Sequence, residues 1–379
     1  MELNSAASPR VEMLVLQPTP FCNINCSYCY LPDRAVTARM SQKTVKRTFE
    51  SLIAGEFLSN NLTVLWHAGE PLVLGIGYYE RALSIIEDLI PAGLSVTHNF
   101  QTNGTLIDDD WARFFLNSNV SLGLSIDGPR RLHDRNRRTR GDRGTFDKVM
   151  RGVRILNERQ VPFHVITVLT RESLRSAREL FDFYLEIGAG NIGFNIEEIE
   201  GGHVSSSLQT NDVDAEMRRF FEEFCDLCQS DPARLKVREF DGVLHAIINP
   251  ESAAYGNPLT EPLRMVSVGV NGDLSTFSPE LLGYASGRHG SFVFGNIHHN
   301  EIADILDNPR YRLVNAEIQR GLEKCQSCCE YFELCRGGAP VNKYFENGTF
   351  DSTETMFCRL TKKAVVDVVL QRLEETLAA

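Results

Sequence analysis

Short runs of β-branched and aromatic residues alternate with longer amphipathic stretches six times between residue 13 and about residue 229. Such a rhythm is typical of parallel strands that are joined by helical crossovers. The strands are predicted at 13–17, 62–67, 94–102, 120–126, 163–169 and 191–196. Six units are too few for a closed eight-stranded barrel, so the sequence predicts an α/β fold built on an open, partial (β/α)6 TIM barrel.

Two of the predicted helices carry start signals. The stretch 41–58 begins at Ser41, and the stretch 145–158 begins at Thr145. A serine or threonine at this position accepts a hydrogen bond from a free backbone N–H group in the first turn of the helix. We therefore expect both residues to be N-caps.

The rhythm breaks after residue 229, where Asp231-Pro232 ends the sixth helix. The later elements are a hairpin over 266–277 that turns at Asn271-Gly272, an amphipathic helix near 301–321 and a final helix near 361–377. An Asn-Gly pair favours a type I′ turn. The sequence thus predicts two domains, a β/α core over residues 12–230 and a smaller domain over residues 231–379.

Charge and composition exclude several classes of protein. The 39 Lys and Arg residues stand against 50 Asp and Glu, a formal net charge of -11, which disfavours nucleic acid or an anionic membrane as a partner. The chain lacks an apolar run long enough to cross a bilayer and a basic-then-apolar start, so we expect it to be cytoplasmic. Ten cysteines in such a chain favour metal binding or catalysis over disulfides.

Three of these cysteines, Cys22, Cys26 and Cys29, fall on the loop after the first predicted strand. Barrel folds of this kind carry out their chemistry at the ends of the strands. Three thiolates can hold three irons of a 4Fe-4S cluster and leave the fourth iron open to another ligand. A zinc knuckle or a set of buried core thiols is the alternative, although no Cys, His or Asp stands within three residues on either side as a further zinc ligand.

The spacing CxxxCxxC, with the aromatic Tyr28 before the last cysteine, resembles the signature of the radical S-adenosylmethionine (SAM) enzymes. The resemblance implies that SAM chelates the open iron through its amino and carboxylate groups. The segment Trp-His-Ala-Gly-Glu-Pro at 66–71 is similar to the Gly-Gly-Glu-Pro motif of that family, with Ala68 in place of the first glycine. By this likeness the backbone at Gly69 approaches the methionyl amine, and Glu70 accepts a hydrogen bond from it.

The ends of the third and fourth predicted strands are similar to further SAM-contacting edges of the family. They read Gln-Thr-Asn-Gly and Ser-Ile-Asp-Gly-Pro, and common turns would account for each of them alone. The likeness implies a SAM contact for Asn103, a hydrogen bond from Ser125 to the methionyl carboxylate and a place near the ribose for Asp127.

An arginine-rich stretch over 130–143 follows the fourth strand and holds seven Arg and two Asp. By the order of the family's motifs, Arg137 forms a bidentate pair with the SAM carboxylate. The alternative is a solvated basic loop.

The second cysteine-rich segment lies far downstream. It contains Cys325, Cys328, Cys329, Cys335 and Cys358 and is similar to the SPASM extension of radical SAM peptide modifiers. Ligand positions of a second auxiliary cluster in that family hold Phe277 and Ala339 here, and no cysteine lies between Cys228 and Cys325. The resemblance therefore implies a single auxiliary 4Fe-4S cluster, with Cys325, Cys328, Cys335 and Cys358 as its ligands.

Cys328 and Cys329 compete for one of these ligand positions. The spacing from Cys328 to Cys335 is one residue longer than usual, and Cys329 would restore it. We favour Cys328, because Cys325-x-x-Cys328 keeps the turn that aims two sulfurs at one site. A structural zinc is the alternative at this segment, since four cysteines suit zinc equally well.

From Val15 to about Cys358 the chain is similar to the maturases of glycine-rich-repeat peptides, which are radical SAM/SPASM enzymes. The segments 16–33, 66–71 and 277–283 carry this likeness. It implies an oxidoreductase that takes a β-carbon hydrogen from a ribosomally made precursor peptide and forms a C–C crosslink to an aromatic side chain, a cyclophane. It also implies an electron donor of the flavodoxin or ferredoxin type.

Asp273 and Glu280 lie on or beside the predicted hairpin, where family relatives keep a catalytic acid; an exposed turn residue is the alternative for each. Only about a dozen residues precede the first strand, so we expect no winged-helix leader-binding domain there. Two other classes stay open: a thioether-forming or sulfatase-maturing relative, and a zinc-stapled binding protein without catalysis.

Overall fold

The computed structural model describes residues 9–118, 120–230, 235–250 and 256–378. Six parallel strands form the centre of its main sheet: β1 (Val11–Leu16), β2 (Leu58–Trp66), β3 (Ser95–Thr102), β4 (Val120–Ser125), β5 (His164–Leu169) and β6 (Asn191–Ile196). Each strand pairs in parallel with the next, and the short β7 (Lys236–Val237) adds to β6. The predicted strands are confirmed to within a few residues, and the arrangement is consistent with the partial barrel.

Helices connect these strands and cover the sheet. They are α1 (Gln42–Ala54), α2 (Ile76–Leu89), α3 (Asp109–Asn117), α4 (Arg130–Asn136), α5 (Phe146–Glu158), α6 (Ala177–Glu186) and α7 (Val213–Ser230). The later helices are α8 (Arg238–Ile248), α9 (Pro309–Cys328), α10 (Phe332–Cys335), α11 (Pro340–Asn347) and α12 (Ala364–Ala378). The predicted helix stop at Asp231-Pro232 lies outside the described residues.

The two predicted N-caps have different outcomes. The Ser41 side chain accepts a hydrogen bond from the Thr44 N–H at 3.0 Å, as expected. The Thr145 side chain makes no such bond. Instead, Asp134 accepts from the N–H groups of Thr145 and Phe146 at 2.7 and 2.8 Å. The cap of α5 is therefore supplied by a residue eleven positions upstream, which no local pattern indicates.

The predicted hairpin is present as β8 (Met265–Val268) and β9 (Asp273–Thr276), but its turn is not type I′. A type I′ turn needs positive φ at both central residues, and here Gly272 alone has it, at +88°. The Gly272 N–H donates to the Gly269 carbonyl at 2.8 Å. This geometry matches a three-residue loop whose last residue is a left-handed glycine.

The hairpin extends the barrel sheet rather than starting a separate one. Strand β8 pairs in parallel with β1, β9 runs antiparallel to β8, and β12 (Gly295–Asn296) runs antiparallel to β9. A second hairpin, β10 (Ala285–Ser286) and β11 (Gly290–Ser291), stands apart. The ten-stranded sheet thus crosses the predicted domain boundary at residue 230, and that boundary stays a prediction.

Aromatic side chains fill the space between sheet and helices. Trp66 of β2 and Phe100 of β3 pack with Tyr79 of α2 at ring-centre distances of 4.7 to 6.1 Å. Phe194 of β6 packs against Phe224 of α7 at 5.0 Å in an edge-to-face arrangement. Such pairs add about 1 kcal/mol each to the burial of their apolar area, so this core fixes the strand ends on which polar side chains stand.

The C-terminal helix α12 lies against α7. Arg372 pairs with Asp226 at 2.7 Å, and Arg218 donates to Gln371 at 2.8 Å. None of the described helices combines the length and the apolar character that a bilayer crossing requires.

Candidate functional site

The first cysteine cluster occupies the loop that follows β1. The loop is backed by the segment after α4, because the Asn25 N–H donates to the Arg138 carbonyl at 2.6 Å and the Ser27 N–H to the Asn136 carbonyl at 3.0 Å. Burial raises the pKa of the Cys22 thiol to about 12 and that of Cys26 to about 11. Thiols in this setting stay protonated at neutral pH unless a bound metal replaces the proton.

Ala68 and Gly69 pack the end of β2 onto the backbone that leads into this loop. Both have positive φ, +74° and +59°, and Ala68 is fully buried. A Cβ atom at Gly69 would lie 2.5 Å from the carbonyl oxygens of Thr19 and Phe21. Only glycine fits there, whereas Ala68 holds a backbone conformation that costs a non-glycine residue about 1 kcal/mol.

Glu70 ties the end of β2 to the end of β3. Its carboxylate accepts from the Thr102 hydroxyl at 2.6 Å, the Asn103 N–H at 2.8 Å and the Leu72 N–H at 3.0 Å. Burial raises the pKa of Glu70, and these three hydrogen bonds act in the opposite direction. The buried carboxylate therefore already has several protein donors, and a further donor would use its remaining lone pairs.

Asn103 joins β3 to the cysteine loop. Its side-chain amide donates to Asn23 at 2.8 Å and lies 3.8 Å from the Cys22 sulfur. Its side-chain oxygen accepts from the backbone N–H and the hydroxyl of Thr105 at 3.0 and 2.6 Å. The strand-end motif predicted a role for Asn103, whereas no motif predicted one for Asn23 or Thr105, which complete the network.

A buried polar group links the cysteine loop to β4. Asp127 accepts from the Tyr28 hydroxyl at 2.5 Å and pairs with Arg137 at 3.1 Å. The Arg137 guanidinium lies 5.5 Å from the centre of the Tyr28 ring and 4.0 Å from the Cys26 sulfur. Arg137 is 7% exposed, and its Nε has no hydrogen-bond partner among the described residues. This buried N–H group is therefore available to a bound acceptor, as are the Nε atoms of Arg138 and Arg336 elsewhere.

Among the arginines of the arginine-rich stretch, one is buried and the others are exposed or partly exposed. Arg130 and Arg131 are exposed and pair with Asp147 and Glu179. Arg137 alone in this stretch is buried against the cysteine loop. Nearby, burial and the charge of Arg137 lower the pKa of His133 to about 3. The geometry therefore separates Arg137 from a solvated basic loop.

Ser125 stands at the end of β4 and is partly exposed. Its hydroxyl accepts from the Gln101 side chain at 2.8 Å. Gln101 belongs to β3, so this contact joins the same two strands whose ends carry Asn103 and Asp127. The strand-end motif contained Gln101, but its role as the partner of Ser125 needed the register of the two strands.

The chain reverses direction at Phe277 after β9. Phe277 has a φ of +72°, is fully buried and stacks on Tyr311 at 5.7 Å. The reversal brings Pro279 back to the end of β1, where its carbonyl accepts from Gln17 at 3.0 Å. A position that holds a cysteine in the resembled family is thus filled by a packed aromatic ring.

Three carboxylates come together beyond this reversal. Glu280, one of the two candidate acids, interacts electrostatically with Glu198 and Glu200, which follow β6. Burial, together with the charges of Glu280 and Glu346, raises the pKa of Glu198 above its usual range, although Asn342 donates a hydrogen bond to it at 2.6 Å. No motif predicted a role for Glu198 or Glu200, although both follow the end of β6 as the motif residues follow the ends of other strands.

Asp273, the other candidate acid, lies apart from these carboxylates. It begins β9 and accepts from the Asn296 side chain at 2.9 Å. His67 contacts the Tyr30 hydroxyl at 3.2 Å through Nε2, and Tyr30 in turn interacts electrostatically with the three carboxylates. Burial lowers the pKa of His67 to about 4, so its ring is neutral at pH 7.

The second cysteine cluster lines a cavity of about 450 Å³. Its walls include Cys325, Cys328, Cys329, Cys335, Cys358, Lys343, Lys362 and Lys363. Ala339 also lines it, where the resembled family has a further cysteine. A π-helical segment, Cys358–Lys363, supplies one wall, and such segments are rare and frequent at functional sites. In the ranges described, no three Cys, His, Asp or Glu side chains converge closely enough to hold a single metal ion.

The remaining two cysteines lie elsewhere. Cys225 of α7 is buried in the hydrophobic core, and Cys228 packs against the same core. The pair is therefore two packed thiols, three residues apart on α7. Burial raises the pKa of Cys225 to about 11, as expected for a thiol in apolar surroundings.

Proteins of similar sequence align with nearly the whole length of this chain. An uncharacterized protein of Synechocystis sp. strain PCC 6803 is 37% identical over 370 residues, which cover 97% of this chain and 93% of that protein. A cysteine-type anaerobic sulfatase-maturating enzyme of Clostridium novyi is 26% identical, with 93% of each chain covered. The model of the radical SAM superfamily matches residues 16–184.

Two solved structures have a similar fold. Native anSMEcpe with bound AdoMet and Kp18Cys peptide superposes with a TM-score of 0.77 at 22% identity, over 96% of this chain and 98% of that chain. Streptococcus suis SuiB bound to its precursor peptide SuiA superposes with a TM-score of 0.63 at 18% identity, over 92% and 76%. The family match, the relatives and the folds agree, and the chain belongs to the radical SAM superfamily, with SPASM-type relatives, and is an enzyme.

Proposed function

We propose that this enzyme abstracts a β-carbon hydrogen from a ribosomally made precursor peptide and joins that carbon to an aromatic side chain, closing a cyclophane ring. Membership of the superfamily implies a 4Fe-4S cluster and SAM, and the C-terminal cysteines fit an auxiliary cluster. We further propose that residues 12–230 hold the SAM site and residues 231–379 the auxiliary site. The observation that carries the proposal is the contact of the Cys22–Cys29 loop with Asn103, at the end of β3, and with Arg137, just after α4. Glu70, at the end of β2, is joined to this group through the Asn103 N–H.

The residues of the first site fit the cofactors. The site supplies three thiols, those of Cys22, Cys26 and Cys29. Burial keeps the thiols of Cys22 and Cys26 protonated, so that a bound metal is needed to ionise them. The unpartnered Nε of Arg137 provides a buried donor for a carboxylate such as that of SAM. When bound, the cluster and SAM supply a 5′-deoxyadenosyl radical that removes a hydrogen atom, and the auxiliary cluster supplies an acceptor for the electron that ring closure releases.

The polar residues around the loop then act as orienting groups. We assign Tyr28, Asp127 and Arg137 to one side of SAM, with Ser125 beside them. Gly69, Glu70 and Asn103 form the other side, where Gly69 allows close backbone approach and Glu70 accepts from the methionyl amine. Because the polar side chains of this set are already held by hydrogen bonds or an ion pair within the protein, little reorganisation is needed when the ligand binds.

Ring closure also releases a proton from the aromatic ring, and we assign its acceptance to Glu280. This carboxylate belongs to the group with Glu198 and Glu200, which interact with Tyr30 and Cys29 of the first loop. A carboxylate whose pKa is raised by burial is a stronger base than an exposed one. Asp273 lies outside this group, so we do not assign it a catalytic role.

The names of the relatives support a peptide substrate. The structure of SuiB contains a precursor peptide, and that of anSMEcpe contains a Kp18Cys peptide. The 26% identity to a sulfatase-maturating enzyme favours a second candidate, the oxidation of a sulfatase residue to formylglycine. We expect the reducing electron to come from a donor protein of the flavodoxin or ferredoxin type.

Mass spectrometry after anaerobic co-expression separates these functions. A glycine-rich precursor peptide is expected to lose two hydrogens per ring, and fragmentation should stop within the ring. If the enzyme matures a sulfatase, a sulfatase peptide should instead gain an aldehyde that reacts with a hydrazide. If the enzyme forms thioethers, a cysteine of the precursor should no longer react with an alkylating reagent. An unchanged precursor together with a hydrazide-reactive sulfatase peptide would replace the first function with the second. The Cys26→Ala variant is the matched inactive control.

Glu280→Gln tests the assigned base. We expect this variant to release 5′-deoxyadenosine but to form little crosslinked product, since hydrogen abstraction does not need the base. Asp273→Asn should retain crosslinking. Equal crosslinking by Glu280→Gln and the parent enzyme would remove Glu280 from the reaction.

A further inference from the structure

Lys343 is a buried cation without a carboxylate partner. It lies on α11, is 5% exposed, and donates to the Gly321 carbonyl at 3.1 Å and to the Cys325 sulfur at 3.2 Å. Among the described residues, no carboxylate forms an ion pair with it. Lys363, on another wall of the same cavity, differs because it pairs with Glu354.

A buried ammonium group is costly unless an anion compensates it. The Cys325 sulfur, which accepts from Lys343 and is itself buried, is a group that can become such an anion. A cysteine becomes a thiolate when it binds a metal cluster. The position of Lys343 therefore indicates that the cavity is built for anionic sulfur ligands.

The two adjacent cysteines at the end of α9 differ in their surroundings. Cys328 is exposed, whereas Cys329 is partly buried. The Cys329 N–H donates to the Cys325 carbonyl at 2.9 Å, and its own carbonyl accepts from Phe332 at 3.1 Å. These bonds hold Cys329 between Cys325 and the start of α10, the helix that ends in Cys335.

Both cysteines line the cavity that also holds Cys335 and Cys358, but Cys328 is exposed to solvent and Cys329 is partly buried. The spacing from Cys329 to Cys335 is also the usual one of the resembled family, which Cys328 lengthens by one residue.

We propose that Cys325, Cys329, Cys335 and Cys358 hold the auxiliary cluster, that Lys343 is its buried counter-charge, and that Cys328 stays a free thiol. The inference rests on the auxiliary cluster of the proposed function and replaces Cys328, which the sequence favoured, with Cys329. Positive charge and hydrogen bonds at a cluster sulfur favour the more negative, reduced state. Lys343 is thus a positioning residue that raises the reduction potential.

Paired cysteine variants test the ligand set. They are made in full-length protein that carries Cys22→Ala, Cys26→Ala and Cys29→Ala, so that iron, sulfide and the electron paramagnetic resonance (EPR) signal after dithionite reduction report the auxiliary site alone. We expect Cys329→Ala to lose iron and signal and Cys328→Ala to retain both. If Cys328→Ala loses the iron and the EPR signal while Cys329→Ala retains both, the proposed ligand set is overturned and the proposed function stays intact. A background protein without iron would overturn the auxiliary cluster itself.

Lys343→Met tests the counter-charge in the same background. An EPR-monitored titration should give a more negative midpoint potential than in the parent, and Lys363→Met should shift it less because Lys363 is already paired with Glu354. Complete loss of iron from a Lys343→Met chain with an unchanged circular dichroism spectrum would support the same role. An unchanged potential in a variant that retains its iron would overturn it.

Discussion

The two cysteine-rich regions are held by different parts of the fold. The Cys22–Cys29 loop is surrounded by strand ends, and hydrogen bonds from distant residues such as Asn103 and Arg137 fix it. The C-terminal cysteines lie at helix ends and turns around a cavity, with lysines in its walls. In the first region, the polar side chains already bind one another before any ligand is present. In the second region, the thiols surround a cavity, and a bound group is needed to hold them together.

Gly69→Ala should have the largest effect, and only on the first region. A Cβ atom there would lie 2.5 Å from two backbone carbonyl oxygens, so the loop must move. A displacement of about 1 Å at a catalytic site lowers the rate about 100-fold. We expect 5′-deoxyadenosine formation to fall by that factor, measured by chromatography, while the auxiliary EPR signal stays. Gly190→Ala, where nothing lies within 4 Å, is the control. Equal loss of both signals would show that the regions are not independent.

Asp127→Asn should come next. It leaves the Arg137 guanidinium buried without its partner, and breaking a buried pair in this way costs about 3 to 5 kcal/mol. Urea unfolding of the barrel should show this loss. The exposed pair of Arg130 and Asp147 gives a matched control, since Asp147→Asn should change little. Similar stabilities of the two variants would contradict the account of a pre-formed polar group.

Acid should weaken the first region before the second. Burial lowers the pKa of His67 from 6.5 to about 4, so the unfolded chain takes up this proton first as the pH falls. The contribution of the neutral His67 ring to the free energy of unfolding is complete above pH 6.5 and is lost as the pH falls towards 4. Between pH 6.5 and 5 it amounts to about 2 kcal/mol. His67→Gln should reduce this pH dependence in urea unfolding, and an unchanged slope would assign the effect to other groups.

Ala68→Gly should have the smallest effect and the opposite sign. Glycine removes the cost of a positive φ at a non-glycine residue, so we expect a gain of about 1 kcal/mol. Ala82→Gly, inside α2, should instead lose about that amount or more, because glycine weakens a helix. Thermal unfolding of both variants measures the difference. A loss of stability in Ala68→Gly would mean that the buried methyl group contributes more than the strain removes.

Much of the first region could be predicted from the sequence, because its residues follow strands in short motifs. The strand ends were located to within a few residues, and the motifs named Glu70, Asn103 and Arg137. Contacts that depend on distant parts of the chain could not be predicted. The Asp134 cap of α5 and the reversal at Phe277 that brings Glu280 to Glu198 both arise from tertiary packing. The sequence favoured Cys328 over Cys329 as a cluster ligand, whereas the burial and the backbone hydrogen bonds of Cys329, which support our proposal of Cys329, depend on the folded chain.

The most direct test is the release of 5′-deoxyadenosine by anaerobically reconstituted protein given SAM and dithionite. The account predicts release by the parent chain and none by a Cys22→Ala, Cys26→Ala, Cys29→Ala variant that retains its auxiliary iron. Undiminished release by that variant would place the reactive centre elsewhere and contradict the account.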